Sequence, residues 1–580
     1  MFSQTEDYNW IFNATGIENT ENYPDRGPSV LSFNKLPPFA YKSDSIIIHL
    51  NKTNAIISDL SSNPLIYTNG QTIHGPKHKP IVNGDRINNT PVWENLSFFN
   101  EHGELKPTGF KLTQACGLFQ IPERDNEYLC LYHNYENRDS TGFYTLMQSH
   151  ITENENGEFE IIEKDKIINE RISKSGSIQG CRHANGRDWW MLQFNKDTVY
   201  TYLIDPRGLS LDTIQTISNE VIGTFGQSKF NSDGSKFALI SSIEGENYGV
   251  EVFFADFDRT NGILIESFYD DWRPTYQYSG LSLGLEFSEN SSKLYISVTE
   301  LIYQYDFSDN GFEKVEVAKI EETFCDSNSV FESNFFGIMQ RGPDHKIYVT
   351  IIGQCFELHR INNPNKMGYE CDVEQSAIIL PTYHRGTVPT LNTYRLGPLD
   401  GSEADTLDID NHPVSRFWYE QPDTVDKLKL QFYDVSYFRP EVWHWDFGDG
   451  FTSSERSSEH SYNDYGVYEV CLTVSNENSS HTSCDTLNLG MVNTQDDLQF
   501  DYGINLFPNP VEDYTRLAFQ NYIPVDGIVT IYNAAGSRVL NEKLNGIEQV
   551  LDLSFLESGA YVFEIIDRGV VLKTGRLVKI

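Results

Sequence analysis

Six stretches of the chain repeat one pattern of apolar and polar positions. They are "ISDLSSNPLIYTNG" (57 to 70), "QIPERDNEYLCLYH" (120 to 133), "CRHANGRDWWMLQF" (181 to 194), "KFNSDGSKFALISS" (229 to 242), "EFSENSSKLYISV" (286 to 298) and "QRGPDHKIYVTI" (340 to 351). Each has a short β segment, a polar turn rich in Asp, Asn, Gly or Ser, and then an apolar strand rich in aromatic residues. The pattern predicts a β-hairpin, written six times.

Taking Ile57, Ile121, Cys181, Phe230, Phe287 and Gln340 as equivalent points, successive copies lie 49 to 64 residues apart. A repeat of that size, with more than one hairpin in it, suits a four-stranded propeller blade with long loops. A region of roughly 395 residues then holds about seven blades, with six the runner-up, the last closed by pairing N-terminal with C-terminal strands. Aromatic residues make up 13% of the chain, with 32 Tyr and 36 Phe, and the fold class expected is all-β.

The repeat also frames "GCRHANGRDWW" (180 to 190), where thiol, imidazole, guanidinium and carboxylate groups crowd together. Asn185, Gly186 and Arg187 fill the turn that "SDGSK" fills in the next copy, and Trp189 and Trp190 open the following strand. Cys181 and the two Trp residues then read as packing, with Arg182, His183 and Asp188 tying neighbouring blades. The alternative sets Arg182 and His183 on the central channel, in reach of a ligand. Binding is expected at the channel mouth or the top-face loops, where aromatics such as Trp272 would stack on sugar rings.

Charge narrows the partners. With 83 acidic against 44 basic residues the net charge is -39, so phosphate backbones are repelled and nucleic acid is not expected as a partner. No apolar run reaches about 18 residues, so no transmembrane helix is expected. "MFSQTEDYNW" shows no signal peptide, and removal of one not present in this chain is expected. The spacing of the eight cysteines fits neither a zinc knuckle nor CxxC.

The segments "YNWIFNATGI" (8 to 17), "ISDLSSNPLIYTNGQTI" (57 to 73), "GCRHANGRDWW", "GLEFSENSSKLYIS" and "GIMQRGPDHKIYV" resemble the propeller region of large secreted Bacteroidetes proteins, over about residues 5 to 398. An acidic connector (399 to 425) follows. "WDFGDG" (445 to 450) with "YNDYGVYEVCLTVSN" (462 to 476) then resembles the polycystic kidney disease (PKD) domain, an immunoglobulin-like sandwich placed at 426 to 492. In it Trp445 is expected in the core, Gly448 and Gly450 in the turn, and Asp446 and Asp449 on turn amides. Calcium is a candidate cofactor there, although two carboxylates fall short of six to eight ligands. Cys471 and Cys484 flank a turn and are the disulfide candidates. The family resemblance implies a spacer or a binder of protein or polysaccharide.

After a linker (493 to 503), residues 504 to 580 alternate apolar and polar positions strand after strand, which predicts a second sandwich. "LFPNP", "IYNAAGSRV", "SGAYVFEI" and "KTGRLVKI" resemble the C-terminal sorting domain of type IX secretion substrates. The resemblance implies recognition by the outer-membrane type IX translocon, and release or anchoring on lipopolysaccharide at the cell surface. Pro508, Asn509 and Pro510 are expected to fix the first turn, and Gly559 to take a positive φ. Lys573, Arg576 and Lys579, expected as exposed ends, are the candidates for translocon contact, or simply edge charges that deter aggregation.

There is no GxSxG, HExxH or P-loop, and Gly75 and Pro76 break the helix that would align His74 with His78 on a metal. The expectation is an exported cell-surface or extracellular protein whose propeller and PKD domain bind a glycan or protein ligand. The alternative is a secreted polysaccharide hydrolase or lyase with paired carboxylates in the propeller channel.

Overall fold

The computed structural model describes residues 7–13, 27–43, 45–59, 62–89, 97–99, 105–134, 144–172, 177–221, 223, 225–243, 249–273, 283–307, 313–321, 335–353, 355–421, 426–489, 504–507, 511, 513–519, 527–533, 537–544, 548–567 and 570–580. Among them, regular structure is β throughout apart from one 3₁₀ turn, Gly368–Cys371.

Seven sheets build the propeller. Blade 1 contains Asn9–Phe12, Ser29–Ser32 and Phe39–Lys42, and blade 2 contains Ala55–Ser58, Pro64–Thr68 and Ile73–His74. Four-stranded meanders follow: Cys116–Gln120 to Phe159–Ile172 (blade 3), Gly180–Arg182 to Gly208–Thr216 (blade 4), Phe225–Phe230 to Ile263–Trp272 (blade 5), Gly284–Phe287 to Glu313–Lys319 (blade 6) and Phe335–Arg341 to Val373–His384 (blade 7). The six hairpins read from the sequence are the first and second strands of blades 2 to 7. Their Asp, Asn and Gly residues make the turns for a local reason. Asn185 Oδ1 accepts the amides of Arg187 and Asp188, Asp233 Oδ1 accepts that of Ser235, and Gly186 and Gly234 take φ of 75° and 71°.

The ring closes through the returning chain. Thr382 at the end of blade 7 bonds Ser29 and the Gly27 carbonyl of blade 1, and Thr390 makes a parallel bridge to Ala55 of blade 2. The segment continues past the first strands of the blades. Asn392 Nδ2 donates to Leu118 O, its Oδ1 accepts Gly180 N–H, and Leu399 N–H reaches Ala184 O. Val388, Leu391 and Tyr394 are buried with the propeller core.

Glutamines stitch the first strands to one another. Gln114, just ahead of blade 3, bonds both the amide and carbonyl of Ser228 in blade 5, and Gln227 bonds Met339 of blade 7 and Leu285 of blade 6. These amides, fully buried, satisfy backbone groups that face the axis away from water.

The next sandwich has sheets Phe417–Glu420, Lys429–Asp434, Ser458–Ser461 and Thr452–Ser453, Val442–Asp446, Gly466–Ser475, Ser480–Leu489. Its first strand falls within the stretch expected as connector. The last sandwich has Ile504–Phe507, Tyr514–Phe519, Glu548–Asp552 facing Arg538–Lys543, Ile528–Tyr532, Gly559–Asp567, Val570–Lys579 around its own apolar core.

Candidate functional site

The first of the two sandwiches sits against the turn face of the propeller. Arg416 donates to the Phe33 carbonyl and lies 4.2 Å over the Tyr8 ring, Arg395 pairs with Asp7 at 2.9 Å, and Lys346 lies 4.6 Å over Trp418. Arg456 crosses between the domains, donating to Glu289 at 2.8 Å and Asp434 at 3.1 Å. Burial disfavours the Glu289 charge, but His345, Arg456 and Arg341 outweigh it and hold the carboxyl at about 2.

Two clefts flank this bridge. One, of about 600 Å³, has Arg341, Arg395 and Asp233 on the propeller side and Tyr437, Phe438 and Trp443 on the sandwich side. The other, of about 650 Å³, runs over Asn363, Lys366 and Glu374 to Trp418 and Tyr433. Of the carboxylates lining the first cleft, Asp7 is paired with Arg395, Glu286 with Lys229 at 3.1 Å and Glu289 with Arg456, whereas Asp233 and Asp258 accept the turn amides of Ser235 and Thr260. Arg341 donates to Ser288 O at 3.2 Å and forms no ion pair among the described residues. A guanidinium so placed is a ready donor for an acceptor-bearing ligand. The cleft depends on the docking of the two domains, and for that reason no single motif announces it.

The residues singled out from the sequence lie elsewhere. Arg182 is buried, its guanidinium 3.5 Å from the centre of the Trp189 ring with Nη1 donating to Arg187 O. His183 accepts the Asn185 amide at Nδ1 and packs on Trp190, and burial lowers its pKa. Arg182 ends the first strand of blade 4 and His183 enters the turn, which is tied to its neighbours by Arg187 to Glu123 at 2.6 Å, and by Arg259 donating to the carbonyls of Arg182 and His183. Trp272 ends the outermost strand of blade 5, away from the axis, and Lys314 lies 3.7 Å from the centre of its ring while pairing with Asp270. One indole face is thus already covered. His74 and His78 sit around Tyr67, whose hydroxyl meets His78 Nδ1 at 3.1 Å, and no group of three or more metal-ligating side chains occurs among the described residues.

In the first sandwich Trp445 is fully buried and donates to Glu455 O, and Gly448 and Gly450 take φ of 78° and 93°. Asp446 accepts the Gly448 amide, and Asp449 accepts Phe451 N–H and faces His460 Nε2 at 2.8 Å. Cys471 and Cys484 are directly opposite on adjacent strands and form a disulfide.

In the last sandwich two expectations change. Gly559 is absent from the positive-φ glycines: it begins an extended strand opposite Lys579, and an added Cβ would meet only Tyr561 at 3.9 Å. Of the three basic residues only Arg576 is exposed. Lys573 is half-buried with Nζ donating to Ile504 O at 2.5 Å, and Lys579 is buried with Nζ 3.7 Å from Asp513, because both reach back across the sandwich edge. Pro508, Asn509 and Pro510 lie outside the described residues.

Residues 423–490 match the PKD domain family, and residues 505–579 match the secretion system C-terminal sorting domain. No curated protein matches the chain. Among solved structures, the PKD1 domain of Vibrio anguillarum Epp is 28% identical over 14% of this chain and 96% of its own, with a TM-score of 0.13. A putative 6-phosphogluconolactonase from Bacteroides uniformis is 13% identical over 65% of this chain and 98% of its own, with a TM-score of 0.36. PorZ, a surface component of the type IX secretion system of Porphyromonas gingivalis, is 8% identical over 96% of this chain and 73% of its own, with a TM-score of 0.25. Behind its propeller the chain carries a PKD domain and then a secretion system C-terminal sorting domain, which supports secretion to the cell surface or the extracellular space.

Proposed function

We propose that the protein is delivered to the cell exterior to bind a glycan or protein ligand in the cleft between the propeller turn face and the PKD domain. Arg341 carries the reading: a guanidinium without an ion pair among the described residues, in a cleft where Asp7, Glu286 and Glu289 are already paired with other cations. Tyr437, Phe438 and Trp443 supply apolar faces on the opposite wall, the combination of aromatic surface and a few convergent polar groups that small concave sites use. Binding is favoured over acid and base chemistry because the two glutamates of the cleft, Glu286 and Glu289, are each already paired with a cation, Lys229 and Arg456. Engagement of the translocon by the sorting domain, and attachment to lipopolysaccharide afterwards, complete the proposal.

The test presents the full chain and its Arg341→Ala variant to an array of polysaccharides and glycoproteins, scoring both retention and shorter products. Retention that weakens about tenfold or more in the variant supports the cleft. Release of products would replace the reading with a hydrolase or lyase, and equal retention by both proteins would move the site elsewhere.

A further inference from the structure

We propose that Cys116 and Cys130 are joined by a further disulfide in the exported protein, closing the inner hairpin of blade 3. Cys116 begins the first strand of that blade and Cys130 lies in the second; Cys116 is opposite Tyr132 and Cys130 opposite Leu118. The two thiols therefore share one face of the sheet as diagonal neighbours. Their sulfurs are 3.5 Å apart, and both residues are fully buried. Cys181 and Cys371, the other described free cysteines, are buried as well. Cys355 and the pair Cys471 and Cys484 are already disulfide-bonded in the same chain, and export through an oxidising compartment would give the blade 3 pair the same chance.

The position gives the bond a purpose. Leu118, between the two cysteines in the hairpin register, offers its carbonyl to Asn392 of the returning segment, and Gln114 just upstream ties blade 3 to blade 5. A covalent link there fixes the part of the ring on which closure depends.

The chemistry also sets the timing. In the folded protein burial, with Cys116 and Asp165 adding to it, pushes the Cys130 thiol well above its ordinary value, so the attacking thiolate is scarce once the blade has closed. The bond accordingly forms before or during closure. A thiolate from one cysteine attacks the disulfide of a protein dithiol oxidant, forming a mixed disulfide and releasing one oxidant thiolate. The second cysteine, as thiolate, attacks the substrate-side sulfur of that mixed disulfide and releases the other. The chain loses two protons and two electrons, and the oxidant leaves as a dithiol.

The experiment uses the full chain, produced once with export to an oxidising periplasm and once in a reducing cytoplasm. Each sample is unfolded in guanidinium with excess alkylating agent and no reductant, then weighed intact and mapped as peptides. The exported chain is expected to show two alkylated cysteines, Cys181 and Cys371, with a cross-linked peptide joining residues 116 and 130, and the C116S variant to show Cys130 alkylated as a third. Because thiols are counted in the unfolded state, the variant need not fold. Four alkylated cysteines in an exported sample whose Cys471 and Cys484 peptides are cross-linked would overturn the proposal, as would either blade 3 cysteine joined to a different partner.

Discussion

Arg456 and Glu289, 167 residues apart in the chain, meet at 2.8 Å where the PKD domain rests on blade 6. The same guanidinium holds Asp434, whose side chain is fully buried. Arg456→Ala would leave both carboxylates without this cation, and stranding a buried acceptor costs about 1–3 kcal/mol. The expected outcome is a PKD domain that loosens from the propeller while each part stays folded. Hydrogen exchange should quicken around residues 288–292 and 434–437, and unchanged exchange there would refute the latch.

The Glu289 carboxyl titrates at about 2 when folded, below the ordinary 4.5, so folding favours its charged form. That contribution is fully present above pH 4.5 and is lost as pH falls through about 2. Buried histidines act in a higher window. His384 donates from Nε2 to Glu357 O and accepts the Gly386 amide at Nδ1, a pairing that only the neutral ring satisfies. Burial lowers its pKa and those of His74 and His133 to about 4, and that of His359 to about 3. Between those values and the ordinary 6.5 the unfolded chain binds more protons, so stability falls as pH drops from 6.5 towards 4. Thermal unfolding midpoints across that range should decline, and a flat profile would show that these rings are not held neutral.

The hairpins were legible because their information is local. A turn such as "NSDGSK" needs Asp and Gly at fixed offsets whatever surrounds it, and the six copies therefore stand out. Residues 387 to 399 are different: "TVPTLNTYRLGPL" has neither strand alternation nor a turn signature, and its structure comes from distant partners such as Leu118, Gly180 and Ala184. The same limit applies to Trp272, whose aromatic character the sequence shows but whose cover, Lys314, comes from the next blade. Arg341 ends the first strand of one of the recognised hairpins, yet it gains significance only where Tyr437, Phe438 and Trp443 are brought opposite it.

Cys471 and Cys484 close a loop of 13 residues across adjacent strands of the PKD domain. In the chain-entropy description a loop of that size is worth about 3 kcal/mol. Cys484→Ser should lower the denaturant midpoint of that domain accordingly while leaving the propeller transition in place. Coincident loss of both transitions would instead mean that the two domains unfold as one.

Two glycines separate a strained position from an unstrained one. Gly186 in the blade 4 turn has φ of 75°, and a Cβ there would stand 2.7 Å from Pro398 Cδ, on the segment that leaves the propeller for the PKD domain. Gly186→Ala combines an unfavourable φ with a clash against a rigid ring, and a loss of more than about 1 kcal/mol is expected. Gly559 is the counterexample, since its strand is extended and its surroundings are open. Gly559→Ala should leave the sorting domain as stable as before or slightly more so, because alanine restricts the unfolded chain without straining the folded one. Unfolding curves for the two variants measured side by side decide the matter: a loss at Gly559 comparable to that at Gly186 would mean the sorting domain needs a conformation at that residue other than the extended one.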